Sequence, residues 1–275
     1  MNTVARKTIR DEVEVAGLGV RSGKQITVRL LPADAGHGLI LRRTDLDITW
    51  PVDLDHTLPV PNGTSIGDER GRVDFLEHLM AVLWAAGVSD AQIVVDGPEL
   101  PLFDGSAMPL YQAVGAAGQQ VLAAEHAPIA PDEPIFHLGE DKALIVLPAE
   151  AARFSYSLVH EHPLIGHQFA DFDPISDDFG AEIAPARTFA TEQELRQLQQ
   201  QGLVRAGTED NCLIIYDDGY SEPLFAGNAL ARHKLLDLLG DLYLLGRPLQ
   251  AQVLAYRTGH ADNQALARRI AETCA

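Results

Sequence analysis

Apolar and polar residues alternate with period two over residues 8–15 and 25–31, which predicts two half-buried strands; Gly17, Gly19, Ser22 and Gly23 between them mark a glycine-rich hairpin. Short apolar runs at 38–41 and 91–95 add two more strands. Residues 76–86 meet no breaker until Gly87 and predict a helix, and 108–117 predict a second one after the turn Asp104-Gly105-Ser106. The stretch 125–134 is rich in Pro, Ala and acidic residues and reads as a linker. Beyond it, strand composition returns at 144–147, 154–159, 213–216 and 251–256. Helices are predicted at 192–201, where Thr191 and Glu194 form a capping box and Gly202 ends the run, and at 229–239 and 261–273. Strands and helices do not alternate strictly with long crossovers, so the expected class is α+β rather than a doubly wound sheet. The halves 1–125 and 126–275 carry similar content and are expected to be two domains, although no residue-level repeat relates them.

Composition narrows the function. Of 275 residues, 46% are hydrophobic and 22% charged, the balance of a globular chain. No run approaches the ~18 consecutive apolar residues of a membrane span. Residues 1–10 lack the apolar core of a secretory signal, so the cytoplasm is the expected compartment. With 39 acidic against 21 basic residues and a net charge of -18, the chain repels nucleic acid and anionic lipid. Lysine occurs only at 7, 24, 142 and 234, so Lys234 inside a dense motif stands out. Two cysteines, Cys212 and Cys274, make neither a disulfide framework nor a Cys-rich zinc site. Any metal must therefore be held by His, Asp or Glu.

The sharpest local signal is His233-Lys234-Leu235-Leu236-Asp237 in a predicted helix, because side chains at i and i+4 share a face and can grip one ion. Asp241, four residues on, shares that face. Such a pair also occurs on solvated helix faces, but Leu235, Leu236, Leu238 and Leu239 crowd this stripe and imply a buried polar face that needs a partner. Glu77-His78 offers a proton acceptor next to a metal ligand, or a glutamate stabilised by a helix N-terminus. His260 stands where a strand yields to the last helix, a place for reactive groups and equally for a neighbour of an N-cap. His160-Glu161-His162 with His167 has metal-like spacing, yet Pro163 and Gly166 make it a strand end or loop. Asp104-Gly105-Ser106 reads as an Asx turn, and Thr188 beside Arg187 is an isolated hydroxyl.

Taken in order, Glu77-His78-Leu79-Met80-Ala81, Asp96-Gly97-Pro98-Glu99, Asp104-Gly105-Ser106-Ala107, Ala186-Arg187-Thr188-Phe189, Arg232-His233-Lys234-Leu235-Leu236-Asp237 with Gly240-Asp241-Leu242, and Gly259-His260 resemble the UDP-3-O-acyl-N-acetylglucosamine deacetylase family. Those are the zinc amidases that commit material to lipid A, and the likeness spans most of the chain. It implies two packed α+β domains of similar topology, each a small sheet with helices on one face, and an active site between them. It implies His78, His233 and Asp237 as ligands of Zn2+, a set that also suits Fe2+. Glu77 would be the base, Thr188 an oxyanion donor, and His260, with Asp241 beside it, the acid for the departing amine or a cationic stabiliser of the oxyanion. Lys234, Phe189, Thr191 and Arg205 would face the substrate, a nucleotide-linked glycolipid. Amide hydrolysis needs a base before attack and an acid afterwards; these come from opposite halves, so neither half alone would be active. A monomer is expected.

The chain also departs from the family pattern. The usual Gly-Leu-His-Ser-Gly is Gly19-Val20-Arg21-Ser22-Gly23, Phe75-Leu76 replaces Thr-Val, Ala190-Thr191 replaces a glycine and an aromatic residue, Val204-Arg205-Ala206-Gly207 replaces a glycine-rich stretch, and Asn228 replaces an acidic residue. The resemblance puts Arg21, Thr191 and Arg205 beside the acyl passage, where they would make it narrower or more polar. Two other readings share the motifs: a diverged paralogue with the same chemistry on another N-acetylated sugar or glycoconjugate, and a non-catalytic binding protein of this fold. Acyl dependence separates the first pair, and metal-dependent turnover separates both from the last.

Overall fold

A computed structural model describes residues 3–274. The first half runs β1 (Val4–Ile9), β2 (Val13–Leu18), β3 (Gln25–Pro32), β4 (Leu39–Arg43), β5 (Ile48–Pro51), β6 (Thr57–Leu58), β7 (Ser65–Asp68), β8 (Gly71–Val73), α1 (Glu77–Ala86), β9 (Ala91–Val95), α2 (Met108–Ala117) and β10 (Gln119–His126). The second runs β11 (Ile135–Leu138), β12 (Ala143–Pro148), β13 (Arg153–Val159), β14 (His167–Phe172), α3 (Phe179–Glu182), β15 (Phe189–Thr191), α4 (Glu192–Gln200), β16 (Leu213–Ile215), α5 (Ala229–Leu242), β17 (Ala251–Tyr256) and α6 (His260–Thr273). The class is α+β, as expected.

Each half builds one five-stranded sheet, and the two sheets share one topology. The orders are β2-β3-β9-β4-β5 and β11-β12-β17-β13-β14. In each, only the third and fourth neighbours run parallel, β9 with β4 and β17 with β13, and the rest pair antiparallel. The helices correspond as well, α1 and α2 flanking β9 in sequence as α5 and α6 flank β17. Each half carries an insertion at the same joint. The three-stranded sheet β6-β7-β8 lies between β5 and α1, and the β15-α4-β16 unit, whose strands pair in parallel, lies between β14 and α5.

Helices α1 and α5 meet at the centre of the molecule. Residues 77–83 of α1 are all buried, and so is α5 except at Arg232 and Lys234. Helices buried on nearly every side are interior helices: α5 packs on β13, β14 and α1, and α1 packs on α5 and α2. They touch at Gly240, where a side-chain carbon would fall 2.1 Å from the carbonyl oxygen of Glu77, so only glycine permits this approach. Gly87, at φ 68°, closes α1 in the left-handed conformation.

The structure departs from the expectations at identifiable points. The strand expected over 8–15 is two strands, because β1 leaves the sheet to pair antiparallel with β10. The expected linker begins inside β10, whose exposed Gln and Ala residues hide its strand character. The β6-β7-β8 insertion went unforeseen because Pro59, Pro61, Asn62 and Gly63 break any period there. Helix α5 runs three residues past 239, straight through Gly240. Among the described residues no helix is long and apolar enough to cross a membrane.

Candidate metal centre

The first turn of α1 carries Glu77 and His78 inward, and one face of α5 carries His233, Asp237 and Asp241. All five are at most 4% exposed. His78, His233 and Asp237 form the one group among the described residues with metal-ligand geometry, each offering an atom within 4.8 Å of the others. His78 Nε2 lies 3.9 Å from Asp237 Oδ1 and His233 Nε2 lies 3.5 Å from Asp237 Oδ2. These spacings are long for hydrogen bonds but suit atoms that share one cation. The ring nitrogen of His233 on the other side, Nδ1, donates to the carbonyl of Ala186 at 3.3 Å, which leaves the Nε2 lone pair facing Asp237. The imidazole rings of His78 and His233 stand edge to face with centroids 5.3 Å apart, and Phe189 stacks edge-on to His233 at 5.9 Å.

The electrostatics suit a divalent cation. Burial lowers the pKa of both imidazoles, that of His233 to about 3, so each stays neutral and keeps a lone pair to donate. Burial opposes the charge on Asp237 too, but His233, Lys234 and His260 around it hold its carboxyl well below the usual carboxylate range. Two neutral imidazoles and one carboxylate fit Zn2+ or Fe2+, and the buried Nδ1 of His78 has no hydrogen-bond partner among the described residues. Lys234 donates to Asp237 Oδ2 at 2.6 Å.

Two further groups flank the trio, a carboxyl that titrates near neutrality and an imidazole held cationic. Burial, aided by Asp237 and Asp241, raises the Glu77 carboxyl to about 7 against the opposing pull of His260. The Glu77 Oε2 accepts from the backbone N–H of Thr64 at 2.8 Å. Burial works against charge on His260, but Asp241 and Asp237 outweigh it and raise this imidazole to about 9. His260 Nδ1 donates to Asp241 Oδ2 at 2.9 Å, and its Nε2 lies 3.8 Å from Asp237. A proton acceptor and a proton donor thus border one ligand set, carried by α1 and by the start of α6.

The remaining expected residues spread outward. Thr188, half-buried, is fixed by its backbone: its N–H donates to Gly105 at 2.7 Å and its carbonyl accepts from Leu213 at 2.8 Å. The Asx turn is present, with Ser106 N–H on Asp104 Oδ1 at 2.9 Å. The Thr191 hydroxyl serves the capping box of α4, donating to Glu194 Oε2 at 2.7 Å. Arg205 is exposed on the loop after α4. Its neighbour Ala206 donates to the carbonyl of Val20 at 2.9 Å, and Val204 packs on Val20, Phe75 and Leu102. Three of the five departures from the family pattern therefore meet: the Arg21 guanidinium sits 4.7 Å from the Phe75 ring centroid, pairs with Asp74 at 3.1 Å and donates to the Pro61 carbonyl at 2.6 Å. His160 and His162 line a separate cavity of about 840 Å³ with Thr191, Glu194, Arg196 and Asp217, and form no metal cluster there. Three residues escaped the sequence reading, Thr64, Asn263 and Gln264. The available signal was the polar pair Asn263-Gln264 one turn after His260.

Buried histidines and a carboxylate converging beside a carboxyl and an imidazolium have the make-up of a metal-dependent hydrolase site. Comparison with known proteins narrows the class. Residues 6–272 match the family described as UDP-3-O-acyl N-acetylglycosamine deacetylase. Proteins named UDP-3-O-acyl-N-acetylglucosamine deacetylase are similar along nearly their whole length. The one from Leptospira biflexa is 39% identical over 98% of this chain and 91% of its own. That from Synechocystis is 36% identical over 97% and 98%, and that from Myxococcus xanthus 34% over 96% and 86%. The chain belongs to this deacetylase family.

Proposed function

We propose that the protein hydrolyses the N-acetyl group of UDP-3-O-acyl-N-acetylglucosamine to acetate and the free amine, a step of lipid A biosynthesis. The observation that carries this reading is the candidate ligand trio His78, His233 and Asp237 bordered by Glu77, which titrates near neutrality, and by His260, which Asp241 and Asp237 hold cationic. Zn2+, with Fe2+ as the alternative, would be held by the trio and would supply Lewis acidity that acidifies water and polarises an amide carbonyl. Glu77, oriented by the Thr64 N–H, takes the proton of the attacking water. The Thr188 hydroxyl donates to the oxyanion that develops on the former carbonyl. His260, kept cationic by Asp241, donates a proton to the departing amine nitrogen. Lys234, beside the ligand set, and Phe189, against His233, face the sugar nucleotide, with Thr191 and Arg205 farther out.

The division 1–125 and 126–275 separates the two matching sheets, and both supply the site, so the excised halves are expected to be inactive. One chain supplies every group, so a monomer suffices, and the cytoplasm is its place of action. The test is metal content together with acetate release from the acylated sugar nucleotide, beside the same compound lacking the acyl chain. Metal-dependent release requiring the acyl chain supports the reading. Equal release from both compounds moves the substrate to another N-acetylated sugar, and metal without release from either refutes the deacetylase.

A further inference from the structure

Thr64 lies just before β7, fully buried, and each of its polar groups is engaged by a different part of the site. Its N–H donates to Glu77 Oε2 at 2.8 Å, and its carbonyl accepts from Leu76 N–H at 3.0 Å. Its hydroxyl donates to Asp241 Oδ1 and accepts from Gln264 Nε2 at 3.0 Å. Because Gln264 occupies the oxygen as a donor, the hydroxyl proton is left for Asp241. The other oxygen of Asp241, Oδ2, accepts from His260 Nδ1 at 2.9 Å and Asn263 Nδ2 at 2.8 Å. Three donors on a carboxylate at 0% exposure hold it in one orientation.

We infer that Thr64 is a positioning residue: through its hydroxyl it orients the Asp241 carboxylate that aims His260, while its backbone aims Glu77, so that one residue of the first half sets both proton-transferring groups. The inference rests on the proposed deacetylase reading. Removing the hydroxyl leaves the Thr64 N–H on Glu77 untouched and strips Asp241 Oδ1 of its donor. A buried carboxylate oxygen without a donor turns toward another partner, and the His260 ring follows Oδ2.

The test compares Thr64→Val, an isosteric loss of the hydroxyl, with Thr64→Ser, which keeps it, in the metal-loaded full chain. Thr64→Val is expected to retain metal and KM and to lose about 10- to 100-fold in kcat, the range of supporting residues behind a reactive group. Thr64→Ser should recover most of that loss. Placed on Asp241→Asn, Thr64→Val should cost nothing more, because the group it acts through is already altered. Gln264→Leu, which leaves Thr64 in place, should lower kcat in the same direction by less. A readout independent of turnover is the downfield His260 Nδ1 proton, assigned by its absence in His260→Ala and expected to shift in Thr64→Val. Wild-type kcat in Thr64→Val, equal losses in Thr64→Val and Thr64→Ser, multiplying losses in the double variant, or an unmoved proton would each overturn the inference. An inert wild type whose proton still shifts would overturn the deacetylase reading and leave the positioning role standing.

Discussion

Replacing Gly240 by alanine sets two physical effects against each other. In an isolated helix the change is favourable, by about 1 kcal/mol of helix propensity. Here the added carbon would stand 2.1 Å from the Glu77 carbonyl oxygen, 2.9 Å from its carbon and 3.1 Å from its Cα. A carbon–oxygen contact needs about 3.3 Å, so α1 and α5 must part by about 1 Å at this point. All three clashing atoms are backbone, so no rotamer change relieves them. Overpacking of this kind costs about 1–3 kcal/mol, which exceeds the propensity gain, and the net effect is destabilising. The chemistry should suffer more than the stability. The separation falls between Glu77-His78 on one helix and Asp237-Asp241 on the other, and a shift of about 1 Å in such a constellation costs on the order of 100-fold in rate. Urea titration gives the first quantity, and kcat/KM with metal content gives the second. A Gly240→Ala protein as stable and as active as the wild type would refute the close-approach argument.

Glu77→Gln should keep the fold and the metal but lose about 10²- to 10⁴-fold in kcat, whereas His233→Ala should lose the metal itself, as measured by metal content after gel filtration. Asp90 is buried and accepts from Arg6 at 2.6 and 2.8 Å; burial opposes its charge, but Arg6, Gly38 and Ser89 hold its pKa below the ordinary value. Its contribution to stability is thus full above the unfolded carboxyl pKa of about 4 and disappears as pH falls through the lower native pKa. Asp90→Asn should cost about 2 kcal/mol at pH 7, a gap that narrows in denaturation series run below pH 4. Thr191→Ala removes the capping box of α4 and should cost about 1 kcal/mol in urea titration, with no loss of bound metal.

The residues of the candidate site were more legible in the sequence than the frame that brings them together. His233 and Asp237 are visible because the i, i+4 spacing is local, and the leucines around them report burial in the same window. Joining them to His78 and His260 takes the packing of α1 on α5 and α6, which no local window contains; the ordered motifs of a known family supplied that join instead. Thr64 has no signal at all, since a threonine in a loop beside Gly63 looks like any turn residue, and its partners lie 177 and 200 positions away. Gly240 misleads in the opposite sense, resembling a helix stop where it is a contact. The matching sheet orders were hidden because a pairing pattern survives when every side chain has changed, and a strand such as β10, with exposed Ala and Gln, can pair by backbone alone.

The two insertions, hung from the same joint in each half, separate what must stay fixed from what can drift. The candidate ligand trio lies on α1 and α5, within the repeated frame, while two cavities are bordered by inserted residues, Thr57 and Leu58 in one and Thr191 to Gln200 in the other. A lineage can therefore lengthen, shorten or recolour either insertion without retuning the candidate ligand set. Thr64 is the exception: it belongs to an insertion yet is tied to Glu77 and Asp241, so it marks where evolutionary freedom in the first insertion ends.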